Sequence, residues 1–136
     1  MWVMLSNSFL SIVALQGDHA DPLQLLVRAR VKGDIEQVFP QAVVTHTPNH
    51  DYAYRTTLPR TKVATVLAAT VKAIDYPNFK NSVADRERHD AYVDCWVAMH
   101  ELQKKKGARK AAKPNRSSRF RTEPGDIVFI NLIPDE

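Results

Sequence analysis

The chain has 136 residues, 44% of them apolar and 25% charged, with a formal net charge of +4 and one cysteine. That length suits a single domain with a real core, and the balance of apolar to charged residues excludes a disordered body for the first hundred positions. One cysteine excludes an internal disulfide and no window reaches the ~18–20 apolar residues that span a bilayer, so a protein of the reducing cytoplasm with no membrane partner is expected.

The N-terminal stretch MWVMLSNSFLSIVAL lacks the basic region of a secretion signal, and Ser6-Asn7-Ser8 divides its apolar run. It reads as a bent strand or tight hairpin, residues 2–5 and 9–15. After a turn-rich loop at 16–22, Leu25, Val27, Ala29 and Val31 alternate with Arg28, Arg30 and Lys32. This period of two describes a strand with one face in the core and one cationic face in water. Asp34 can begin a short helix over 35–39 that Pro40 ends. Val43 and Val44 open a further strand, and beyond the turn at 46–50 Tyr52, Tyr54 and Thr56 alternate with Ala53, Arg55 and Thr57. The first half is therefore a small, mainly antiparallel sheet of four strands.

The second half changes period. Val63, Val66, Leu67, Thr70, Val71 and Ile74 recur at helical spacing after Pro59, and Pro77 closes that segment. A second helix carries Tyr92, Cys95, Trp96, Met99 and Leu102 on one stripe, with Asp90, Asp94 and Glu101 away from it. The expected fold class is α+β, two-layered: the sheet covered on one face by these two helices, with Cys95 and Trp96 in the interface. Residues 1–103 form this domain. Residues 104–136 are a basic extension that ends in an apolar strand.

Charge is concentrated in that extension. Nine of the nineteen Lys/Arg residues lie in positions 104–121, Lys104, Lys105, Lys106, Arg109, Lys110, Lys113, Arg116, Arg119 and Arg121, and no acid lies among them. Positions 1–103 hold ten bases against eleven acids, and 122–136 hold four acids and no base. A concentrated cationic stretch is the footprint of a partner carrying phosphates or an acidic protein surface. Arg28 and Arg30 share one strand face and extend the candidate interface, and Arg55 joins them if the two strands are neighbours. The run from Ile127 to Ile133 is apolar on both faces, which calls for cover by the domain's own sheet edge, a second copy in a homodimer, or a partner.

The other chemistry-bearing groups have structural readings beside functional ones. His46, His50 and Asp51 sit around Pro48-Asn49, a turn that does not align imidazoles, and no other ligand completes a metal set, so no metal or other cofactor is expected. Asp85, His89 and Tyr92 share a helix face and invite an acid–base reading, and Asp75 with His89 and Tyr92 marks the enzyme alternative; the same residues also describe a capped helix start with a ring on the core edge. The loop Asp75-Tyr76-Pro77-Asn78-Phe79-Lys80 would either grip a ligand or plug the gap between two helices with its rings.

Several segments together resemble a small family of uncharacterised bacterial and phage-borne proteins: Trp2; Phe9-Leu10-Ser11-Ile12-Val13; Val27-Arg28-Ala29-Arg30 followed by Gly33-Asp34-Ile35-Glu36; Asp51-Tyr52-Ala53-Tyr54-Arg55; Ile74-Asp75-Tyr76-Pro77-Asn78-Phe79-Lys80; and His89, Tyr92 and Trp96. The resemblance covers about three quarters of the chain and implies no activity. It implies a bacterial cell or phage-infected host as the setting. The leading expectation is a non-enzymatic module whose basic tract engages nucleic acid or a nucleoprotein complex. The alternative is a phage-type inhibitor or assembly factor, for example an anti-defence or anti-CRISPR protein, docking on a host protein.

Overall fold

The Ser6-Asn7-Ser8 turn folds β1 (Trp2–Met4) back on β2 (Phe9–Ala14), closed by a 2.8 Å hydrogen bond from the Leu5 amide to the Ser8 carbonyl. The structure, a computed structural model, describes residues 1–111. The remaining elements are β3 (Gln24–Ala29), α1 (Asp34–Val38), β4 (Thr45–His46), β5 (Tyr54–Pro59), α2 (Arg60–Lys72) and α3 (Arg86–Ala111). All five strands pair antiparallel, in the order β1-β2-β3-β5-β4. The expected α+β class holds, with a sheet one strand larger than the sequence suggests. Met1–Ala98 is one compact unit, and the C-terminal half of α3, from Met99, lies outside it.

Register decides what each face carries, because directly opposed residues of antiparallel strands point the same way. Ile12 lies opposite Val27 and Val27 opposite Thr56; Leu25 lies opposite Leu58 and Ala29 opposite Tyr54. Leu10, Ile12, Val27, Ala29 and Leu58 on this face form a single cluster with Ile35 and Phe39, at and just beyond α1, and with Val63 of α2. The two helices on the core face are thus α1 and α2. Gly33 sets the entry to α1: its φ of 92° lies in the left-handed region, which glycine reaches without the strain a Cβ would bring.

The long helix α3 differs from its expected role. Of its apolar stripe only Tyr92 is buried; Trp96 is 52% exposed, Met99 and Leu102 are exposed, and so is Cys95. The helix is anchored near its start instead. Arg88 forms a bidentate pair with the buried Asp34 at 2.7 and 3.0 Å, and the Tyr92 hydroxyl donates to the Ser8 carbonyl at 2.9 Å, with the Leu5 carbonyl at 3.1 Å. Asp34 also accepts from the Phe9 amide, so one carboxylate ties α1, β2 and α3 together. Beyond Tyr92 the stripe has no part in the core cluster. Among the described residues no helix is long and apolar enough to cross a membrane. The expected strand at 127–133 lies outside the described residues.

Candidate nucleic-acid interface

The face of the sheet opposite the core carries a polar row that the register assembles strand by strand. Trp2 lies opposite Ser11, Ser11 opposite Arg28, and Arg28 opposite Arg55, so four strands contribute one side chain each. Arg28 donates to the Ser11 hydroxyl at 2.9 Å, and Arg55 to the Tyr52 carbonyl at 3.2 Å. Tyr52 precedes β5, and its buried ring packs against two guanidiniums: Arg28 at 4.5 Å from the ring centroid and Arg30 at 4.3 Å. Arg30 further donates to the Asp51 carbonyl at 2.6 Å. These contacts gather three cations at Tyr52, two over its ring and one at its carbonyl.

None of the three is neutralised by a described carboxylate. Among the described residues the ion pairs are Arg88–Asp34, His89–Asp90 and Lys104–Glu101, and no carboxylate pairs with Arg28, Arg30 or Arg55. Like charges directly opposite across a strand pair destabilise a sheet. The Nε atoms of Arg28 and Arg55 are also buried with no hydrogen-bond partner among the described residues, a further cost. These costs stand against the cation–π contacts and hydrogen bonds that hold the three side chains. A bound anion would reverse the repulsion, since planar guanidiniums suit phosphate and carboxylate oxygens.

Of the sequence-expected residues, Arg28 and Arg30 come together here, and Arg55 joins them because β3 and β5 are neighbours. Lys104, Lys105, Lys106, Arg109 and Lys110 lie exposed on α3; Lys104 is held by Glu101 at 2.9 Å, while Lys105, Lys106, Arg109 and Lys110 make no ion pair among the described residues. At 100° per residue, Lys105, Lys106, Arg109 and Lys110 fall on one side of the helix and Lys104 apart from them. Lys113, Arg116, Arg119 and Arg121 lie outside the described residues. Two members of the site escape a reading of strand alternation. Tyr52 continues the spacing of Tyr54 and Thr56 and so reads as part of the strand, but β5 begins at Tyr54. Trp2 joins the row only through the β1–β2 register, which the short Ser6-Asn7-Ser8 turn sets.

Asp85, His89 and Tyr92 each make contacts of their own near the start of α3. The Asp85 carboxylate caps α3, accepting from the Arg88 amide at 2.8 Å; His89 Nδ1 lies 3.1 Å from Asp90; and the Tyr92 phenol is committed to backbone carbonyls. Burial raises the Tyr92 pKa above the usual tyrosine value, which the nearby Arg88 partly offsets, and the hydrogen bonds to Asp34 raise that of Arg88. Asp75 is exposed and lines a separate groove beside Tyr76 and Ile74. In the 75–80 loop, Phe79 stacks on Tyr92 at 5.6 Å and Tyr76 lies 5.9 Å from Phe79, so the rings plug the loop against α3. His46 stacks on Tyr54 at 4.9 Å. Compared with protein-family models, curated proteins and solved structures, the chain matches none.

Proposed function

We propose that the protein is a non-enzymatic binding module that engages the phosphates of nucleic acid, alone or in a nucleoprotein complex. Two cationic features do the binding: the arginine row of the sheet and the lysine-rich end of α3. The observation that carries the reading is the cross-strand pair Arg28–Arg55 with Arg30 beside it, three guanidiniums held in place without one carboxylate partner among the described residues. Phosphate contacts of this kind bind without reading sequence, and their strength is electrostatic. The cytoplasm of a bacterial or phage-infected cell is the natural setting for such a partner.

Titration against DNA, RNA and heparin at several salt concentrations tests the reading. Affinity should fall steeply with salt, and neutralising Lys105, Lys106, Arg109 and Lys110 should flatten the slope. Micromolar binding that ignores salt would overturn it. A second reading, docking on an acidic host protein, draws support from the exposed apolar side chains Trp96, Val97, Met99 and Leu102 on α3. It requires a protein partner that survives high salt and no affinity for nucleic acid.

A further inference from the structure

The arginine row leads into an aromatic cleft. Trp2, Met4 and Phe9 form one wall, Ala91, Tyr92 and Cys95 of α3 another, and Arg30 and Tyr52 close it on the side of the arginines. Its volume is about 540 Å³, within the range of sites that hold small ligands. Trp2 and Phe9 meet edge-on, centroids 5.9 Å apart with planes at 70°, so the two rings make a corner. Trp2 is 66% exposed as a residue, which leaves room for a ring to stack on the indole. Arg30 and Tyr52 belong to both the cleft and the cationic row.

We infer that the bound nucleic acid is single-stranded, and that one base enters this cleft and stacks on Trp2 while the phosphates on either side of it lie over Arg28, Arg30 and Arg55. The inference rests on the proposed phosphate-binding role of the arginine row. Charge fixes the orientation. Arg88 and Asp34 also line the cleft but neutralise each other at 2.7 Å, which leaves Glu87, exposed and with no ion pair among the described residues, and Asp85, whose carboxylate caps the helix, as the charges of the α3 wall. These acids repel a phosphate, so the backbone stays on the arginine side and the cleft receives the uncharged part of the nucleotide. A carboxylate at that wall is also an acceptor for a base amino group. Aromatic stacking beside a cationic track is how single strands are held without sequence readout. A base paired in a duplex would first have to be flipped out of its stack, at a cost of a few kcal/mol.

Fluorescence anisotropy with the full chain tests this, using four probes: a short DNA strand of mixed sequence, the matching RNA strand, the DNA duplex, and a DNA strand with every base removed. At least one of the two single strands should bind about tenfold more tightly than the duplex and the abasic strand. Trp2→Ala should lose about that factor on the single strand and nothing on the abasic one, and Trp2→Phe should recover most of it. Because Trp2 is two-thirds exposed, Trp2→Ala should fold, which an unchanged melting curve verifies. If the Arg28→Gln/Arg55→Gln double variant weakens every probe while Trp2→Ala changes none, or if duplex binds as tightly as single strand, the base-in-cleft inference fails and the phosphate site stands. If the double arginine variant binds every probe like the parent, the phosphate site fails, and the inference with it.

Discussion

Asp34 is the carboxylate on which the placement of α3 depends, and its replacement by alanine gives the most demanding test of the fold. Asp34 is 3% exposed and accepts two hydrogen bonds from the Arg88 guanidinium and one from the Phe9 amide. The Arg88 side chain is itself only 14% exposed, so Asp34→Ala leaves a largely buried cation with no counter-charge. Removing one partner of such a pair costs about 3–5 kcal/mol, and in a domain of this size each kcal/mol shifts Tm by about 4–8 °C. A fall in Tm of about 12–40 °C is therefore expected by circular dichroism. Arg88→Met should also destabilise, since it strands the buried carboxylate. The double variant should cost about 2 kcal/mol less than the two single changes together, because neither charge is then left alone. An Asp34→Ala protein within about 0.5 kcal/mol of the parent in urea unfolding would refute the view that this pair anchors the helix.

Three further outcomes follow from the same structure. Tyr92 is buried with its hydroxyl facing two carbonyl oxygens and its pKa raised by burial, so its stabilising contribution is complete below the ordinary tyrosine pKa of about 10 and is lost as pH rises through the higher folded value. Alkaline unfolding should be steeper in the parent than in Tyr92→Phe; identical pH profiles would contradict this. Arg55→Thr removes a like-charge opposition in the sheet, so Tm should hold or rise while affinity for nucleic acid falls; a loss of several degrees would mark Arg55 as structural. Trp96→Ala should cost no more than about 1 kcal/mol, the worth of an exposed contact such as the Lys80 ammonium 4.5 Å above its ring, and a loss of several kcal/mol would restore Trp96 to a core.

Local order is where the sequence speaks most clearly. The alternation of Val27 and Ala29 with Arg28 is a property of the pleat, and the Ser6-Asn7-Ser8 break places a turn between two short apolar runs, so β1, β2 and β3 are readable in the chain. The spacing of Val63, Val66 and Leu67 likewise announces a helix with one packed side. What the chain does not announce is where a packed side ends. Tyr92 and Trp96 are one turn apart on the same stripe, yet the first is buried against the β1–β2 turn and the second is exposed, because helical period marks a face and is silent on what lies beneath it. The arginine row is hidden for a related reason. Arg28 and Arg55 are separated by α1 and β4, and only the non-local β3–β5 register sets them opposite each other. Periodicity alone also carries Tyr52 one step too far into β5 and gives no sign that its ring holds two guanidiniums.

The central claim is that Arg28, Arg30 and Arg55 meet phosphates, and the most direct measurement is the salt dependence of oligonucleotide binding by the parent and by an Arg28→Gln/Arg30→Gln/Arg55→Gln variant. For a single strand each lost phosphate contact lowers the slope of log affinity against log salt by about 0.7, so the triple variant should bind more weakly with a slope reduced by about 2. An unchanged slope and affinity, in a variant that melts like the parent, would contradict the account.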